Sequence, residues 1–144
     1  MATTPPNLTP QEAIIYLMIM ASAVDGSINP SELRTIGRVV RTFPVFTQQH
    51  EEELVAHAEQ AGQLMGSDGG LHKVIDAAHA ALPEHLIETA YAAVVDVVTA
   101  DESLNLEEIR ILELVREKLG VTDEGAAAIE HAARARHMTM EAPV

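Results

Sequence analysis

The residues of this chain best suited to chemistry are acidic, and they come twice. A shift of 76 positions lays Asp25-Gly26-Ser27-Ile28-Asn29-Pro30-Ser31-Glu32-Leu33-Arg34 over Asp101-Glu102-Ser103-Leu104-Asn105-Leu106-Glu107-Glu108-Ile109-Arg110. Asp, Ser, an aliphatic, Asn, Glu, an aliphatic and Arg recur in order, and Glu12 falls on Glu88 at the same shift. Agreement at so many polar positions marks an internal duplication. Asp25, Glu32, Asp101 and Glu108 offer hard oxygen ligands to a divalent metal cation, the one cofactor this chemistry admits. Glu102, standing where the first copy has Gly26, and Asp96, inside the run Val94-Val95-Asp96-Val97-Val98, are subsidiary ligand candidates. The loop is not an EF-hand: Pro30 occupies the sixth position, where that loop needs Gly, and the Glu arrives at the eighth rather than the twelfth. With two carboxylates per copy, a firm site needs both loops together.

The same residues have a purely structural account. Asn at the N-cap with Glu at N3 forms a capping pair, and Ile28 and Leu104 sit where a hydrophobic staple would. Such a cap is worth about 1 kcal/mol. Both readings stand at the level of sequence.

Histidines make a second constellation. His50, Glu53 and His57 fall on one face of one helix, and His72, Asp76 and His79 on one face of the next, an alternative transition-metal set. A His at the edge of a core gives the same pattern without a metal. Arg34, Arg38 and Arg41 line one helix face, where they either pair with neighbouring acids or grip an anionic partner. No glycine-rich phosphate loop, nucleophile elbow or H-E-x-x-H motif is present (His50-Glu51-Glu52-Glu53-Leu54 ends wrongly), so the chain is not read as an enzyme.

Helices must position these groups. Thr9-Pro10-Gln11-Glu12 starts one that runs to about Val24, and Asn29-Pro30-Ser31-Glu32 starts a second that ends near Phe43-Pro44. A third is expected over roughly Thr47 to Met65, broken by Gly66-Ser67-Asp68-Gly69-Gly70, and a fourth over Leu71 to Leu82. Pro83 opens a fifth that reaches Ala100. A sixth begins at Asn105, with Ile109, Leu112 and Val115 in register, and ends before Gly120. The seventh covers Thr122 to about Arg136. The first helix is apolar nearly all round, so it is either central or carries a partner interface on Glu12, Tyr16, Met20 and Met18, with core packing favoured. No strand pattern appears. The expectation is one all-α domain over residues 1–144, in two pseudo-symmetric helix–loop–helix halves, with 1–8 and 139–144 frayed.

Composition narrows the function. Of 144 residues, 22 are Asp or Glu and nine are Lys or Arg, a formal charge of −13 that repels nucleic acid and attracts cations or a basic protein surface. Without Cys, disulfides and thiolate ligands are excluded. The start has no basic region before an apolar stretch, and the longest apolar run, Ala13 to Val24, is too short to cross a bilayer. A cytoplasmic location follows as the expectation.

An apolar helix ending in Ala-x-x-Asp-Gly, a short loop and an Asn-x-x-Glu helix start, repeated and closed by Lys118-Leu119-Gly120-Val121, resembles the TerB-like tellurite-resistance family. The resemblance covers roughly Leu8 to Val121. It implies an all-α bundle of two related halves and a place in a bacterial stress response to tellurite and other toxic oxyanions, with metal held by Asp25, Glu32, Asp101 and Glu108. Glu102 departs from the Gly of the first copy, so the two loops need not be equivalent. The sequence therefore points to a binding or sensing module. The alternative is a helical protein–protein interaction domain, docking a protein partner or a second copy, whose acidic loops bind no metal.

Overall fold

A computed structural model of the chain describes residues 7–23, 28–100 and 105–142. Among these, eight α-helices and one 3-10 turn form a bundle without strands. In chain order they are α1 (Pro10–Ser22), α2 (Pro30–Thr42), α3 (Gln48–Glu52), α4 (Leu54–Met65), α5 (Gly70–Ala81), the 3-10 turn Glu84–Leu86, α6 (Ile87–Thr99), α7 (Leu106–Leu119) and α8 (Asp123–Arg136).

The bundle is built around α1 and α6, which pack on each other. Every residue from Ala13 to Ala21 is buried, because α5, α6 and α4 cover α1 on different sides. A helix apolar all round is stable where neighbours cover every side of it. Fully burying Ile14, Ile15, Leu17 and Ile19 contributes about 1.5–3 kcal/mol each, which outweighs any single cap. Tyr16, Met18 and Met20 are part of this core rather than a partner surface. α6 repeats the arrangement, buried from Ala93 to Val98 and covered by α1 and α8.

The helix starts follow their sequence signals. Thr9 and Glu12 form a reciprocal capping box on α1: the Thr9 N–H donates to Glu12 Oε1 at 2.9 Å, and the Glu12 N–H to Thr9 Oγ1 at 3.2 Å. α7 ends on Gly120, whose left-handed φ of 77° turns the chain so that the Val121 N–H reaches back to Arg116 O at 3.0 Å.

Three expectations need correction. The single third helix is two, α3 and α4, broken at Glu53 (φ −93°, ψ 6°), and Leu54, the first residue of α4, is buried in the core. The fifth helix begins as a 3-10 turn before α6 proper. On α7 the buried face is Ile111, Val115 and Leu119, and Ile109 is turned toward solvent. The choice between adjacent stripes of an apolar-rich helix belongs to the neighbour it packs against, here α6, α5 and α1.

Candidate functional site

The two acidic units are built alike. Asn29 Oδ1 accepts from the Glu32 N–H at 2.8 Å while Glu32 Oε1 accepts from the Asn29 N–H at 2.9 Å, closing a capping box on α2. In the second copy Asn105 Oδ1 accepts from the Glu108 N–H at 2.8 Å. Both glutamates are half-buried. α2 rests on α6 as well as α1, and α7 on α1 as well as α6, so the two helices that open on acidic starts both pack on the central pair. Asp25, Asp101 and Glu102 lie outside the described residues.

Asp96 lies inside the bundle. Its residue is 8 % exposed, and its Oδ1 accepts from Arg136 Nη2 at 2.6 Å and lies 3.4 Å from His137 Nε2. A carboxylate in an apolar helix needs such a cation, and α8 delivers it. The chain's own C-terminal turn therefore engages the oxygen that was a candidate metal ligand.

The histidine set is not gathered. Among the described residues no group of three or more His, Asp or Glu could hold a metal ion. The break at Glu53 separates His50 from the helix of His57. His50 Nδ1 accepts from the Thr47 N–H at 2.9 Å and so serves the start of α3. The Glu53 carboxylate accepts from Gln49 Nε2 at 2.8 Å. His57 is buried against α1, with Nε2 3.1 Å from Glu12 Oε2 and its ring edge-on to Tyr16 at 6.4 Å. Because a carboxylate only accepts, Nε2 carries the proton in this contact. His72, Asp76 and His79 are exposed along α5. Of the arginine row, Arg41 pairs with Glu51 at 2.6 Å.

Electrostatics single out Glu12. The Thr9 backbone amide, first of all, holds its carboxyl below the ordinary value of 4.5, helped by the Thr9 hydroxyl and His57 against the opposing effect of burial. Burial raises Tyr16 and Tyr91, the latter reinforced by its 2.9 Å bond to Glu130 on α8. These tyrosines are structural donors that bind α4 and α8 to the central helices, for Tyr16 bonds Gln60 in the same way at 3.2 Å.

With this geometry in place, comparison with known families is decisive. The family described as Tellurite resistance protein TerB matches residues 11–131, most of the chain. The chain belongs to the TerB family. No curated protein and no solved structure matches it. The match spans both acidic units of this TerB chain.

The donor set suits a hard cation. Carboxylate, amide and hydroxyl oxygens at the two helix starts favour Mg²⁺, Ca²⁺ or Mn²⁺ over metals that prefer nitrogen or sulfur. Ser22 Oγ, in the last turn of α1 and three residues ahead of Asp25, is buried with no hydrogen-bond partner among the described residues. A buried orphan hydroxyl calls for a water or an ion, which makes the end of α1 compatible with a bound cation. The pairs Glu12–His57 and Asp96–Arg136 are not legible in the sequence. Their members are 45 and 40 positions apart, and no local spacing signals them.

Proposed function

We propose that this TerB-family chain is a cytoplasmic binding or sensing module of a tellurite or toxic-oxyanion stress response, and that its two acidic helix–loop–helix units hold a divalent cation. The reading assigns it no catalytic step. The observation that carries it is the doubled Asn-capped start with a half-buried Glu at N3, on two helices that both pack on the central pair, within a TerB match. Asp25 and Asp101 supply the remaining carboxylates from the preceding loops.

The test is a thermal melt of chelator-stripped protein with and without Ca²⁺, Mg²⁺, Mn²⁺ and Zn²⁺, repeated on Asp25→Ala/Asp101→Ala. An ion at a hundred times its Kd adds about 2.7 kcal/mol, a shift of several degrees for a domain of this size. A rise with one hard cation that disappears in the double variant supports the reading. No rise with any ion, beside a variant that merely melts lower, makes these acids helix supports alone.

A second reading has its own observation. Leu106 and Ile109, in the first turn of α7, are 66 % and 36 % exposed, large apolar side chains beside the second acidic loop. Under this reading the unit docks a protein and binds no metal. Co-purification or concentration-dependent association, lost in Leu106→Ser/Ile109→Ser and indifferent to chelator, would favour it.

A further inference from the structure

A separate concave surface lies at the opposite end of α6 from its acidic loop. α6 is 13 residues long, so the two ends are about 20 Å apart at 1.5 Å per residue. There the end of α5, the 3-10 turn and first turn of α6, and the connection from α7 to α8 enclose a groove of about 560 Å³. That volume is within the range of small-molecule sites and far larger than a single ion needs.

The groove is amphipathic. Leu82, Leu119 and Val121, all buried, form its floor, while Glu84, Glu88 and His79 stand exposed at its rim, and no Lys or Arg lines it. Its shape comes from chain geometry. The left-handed Gly120 turns the strand of backbone leaving α7, which buries Val121 and brings Thr122 to cap α8 at the groove's edge.

One rim carboxylate lies against the start of α8. A Cβ added at Gly125 would lie 2.5 Å from Glu88 Oε2, so the first turn of α8 leaves room for that carboxylate against bare backbone. The positive end of the α8 dipole favours an anion there. A compact metal ion is a poor occupant, because these rim groups do not form a set of three that could coordinate one. Two carboxylates spread along an apolar floor instead match a cation carried on a hydrocarbon stem, which buries methylenes while its charge stays at the rim.

We infer that this groove binds a primary alkylammonium group, its stem on Leu82, Leu119 and Val121 and its cation at Glu84 and Glu88. A free aliphatic diamine and the lysine side chain of a partner share that chemistry. The site is independent of the acidic loops, so either assignment can fail alone.

The experiment is an amide-resolved NMR titration of the full chain, at constant ionic strength, with 1,5-diaminopentane. Parallel titrations use the peptide Gly-Lys-Gly, 1,5-pentanediol and Mg²⁺. Saturable shifts are expected at residues 84–88 and 119–122 with the diamine, with the peptide, or with both, and the stronger binder identifies the source. Glu84→Gln/Glu88→Gln should raise Kd about tenfold or more, the loss of two charge-assisted contacts. If that variant melts well below the parent, Glu84→Gln alone should still weaken binding roughly threefold. The inference is overturned by unsaturable or scattered shifts with both amines. It is equally overturned if pentanediol moves the same amides as strongly, or if Mg²⁺ does.

Discussion

The two halves of this molecule share a scaffold and differ in how they treat polar groups inside it. Under the 76-residue shift α1 lies over α6 and α2 over α7, to within one residue at their ends. Met20 and Asp96 are then equivalent. One is a fully buried apolar side chain, the other a buried carboxylate held by Arg136 from α8. Glu12 and Glu88 are equivalent too. Glu12 closes a capping box and pairs with buried His57, whereas Glu88 remains exposed and sits against Gly125. A duplicated backbone thus fixes where a side chain points, and the helix packed against each half, α4 on α1 and α8 on α6, decides what chemistry is tolerable there.

The strongest way to break that comparison is to exchange the equivalent residues. Met20→Asp places a carboxylate in the core of the first half with no arginine to meet it, and should destabilise the fold by about 4 kcal/mol or more in urea denaturation followed by circular dichroism. A loss under about 1 kcal/mol would mean that the first half carries a hidden counter-ion, because a well-accommodated polar group costs no more than that.

Removing the counter-ion in the second half comes next. Arg136→Ala should cost on the order of 2 kcal/mol, below the full value for a broken buried pair because the Arg136 side chain is half exposed. Asp96→Met in that background, which copies the first half, should restore most of the loss. If it restores nothing, Arg136 acts through packing rather than through Asp96.

The caps should behave as a matched pair. Asn29→Ala and Asn105→Ala are each expected to cost about 1 kcal/mol, and near-equality would confirm that the two helix starts are energetically as well as geometrically alike. A much larger loss at one of them, present only with divalent ion, would show that this Asn supports a bound cation beyond its cap.

The smallest effect is the pH dependence of Glu12. Its carboxyl is held below 4.5 in the folded chain, so its contribution is present above that pH and is lost as pH falls through the folded value. The stability difference between the parent and Glu12→Gln should therefore shrink steadily below pH 4.5. Its plateau should stay under about 1 kcal/mol, since the carboxylate is partly solvated. A difference that is constant down to pH 2 would remove Glu12 from the ionic account of the α1–α4 contact.

Much of this was legible in the sequence, for reasons that can be named. Thr9, Asn29, Asn105 and Thr122 were readable as helix starts because a cap joins residues three apart. The family followed from the doubled acidic motif. The third helix reads as one element because nothing local at Glu53 forbids a helix; the break there shows only in the structure. The sequence puts Ile109 inward because two stripes of α7 are apolar, and only its neighbours choose between them. The histidines are not brought together for a related reason: a shared helical face says nothing about which neighbour each imidazole will meet.

By itself, then, the sequence determined the helices, the duplication, the acidic surface and the family, all properties carried by residues near one another along the chain or by composition. Tertiary structure alone decided that Asp96 belongs to Arg136, that His57 belongs to Glu12, and that three helix ends enclose a groove beneath Glu84 and Glu88. Each of these depends on partners tens of residues apart, brought together by burial of the apolar faces of α1 and α6, and burial is blind to which polar groups it carries along.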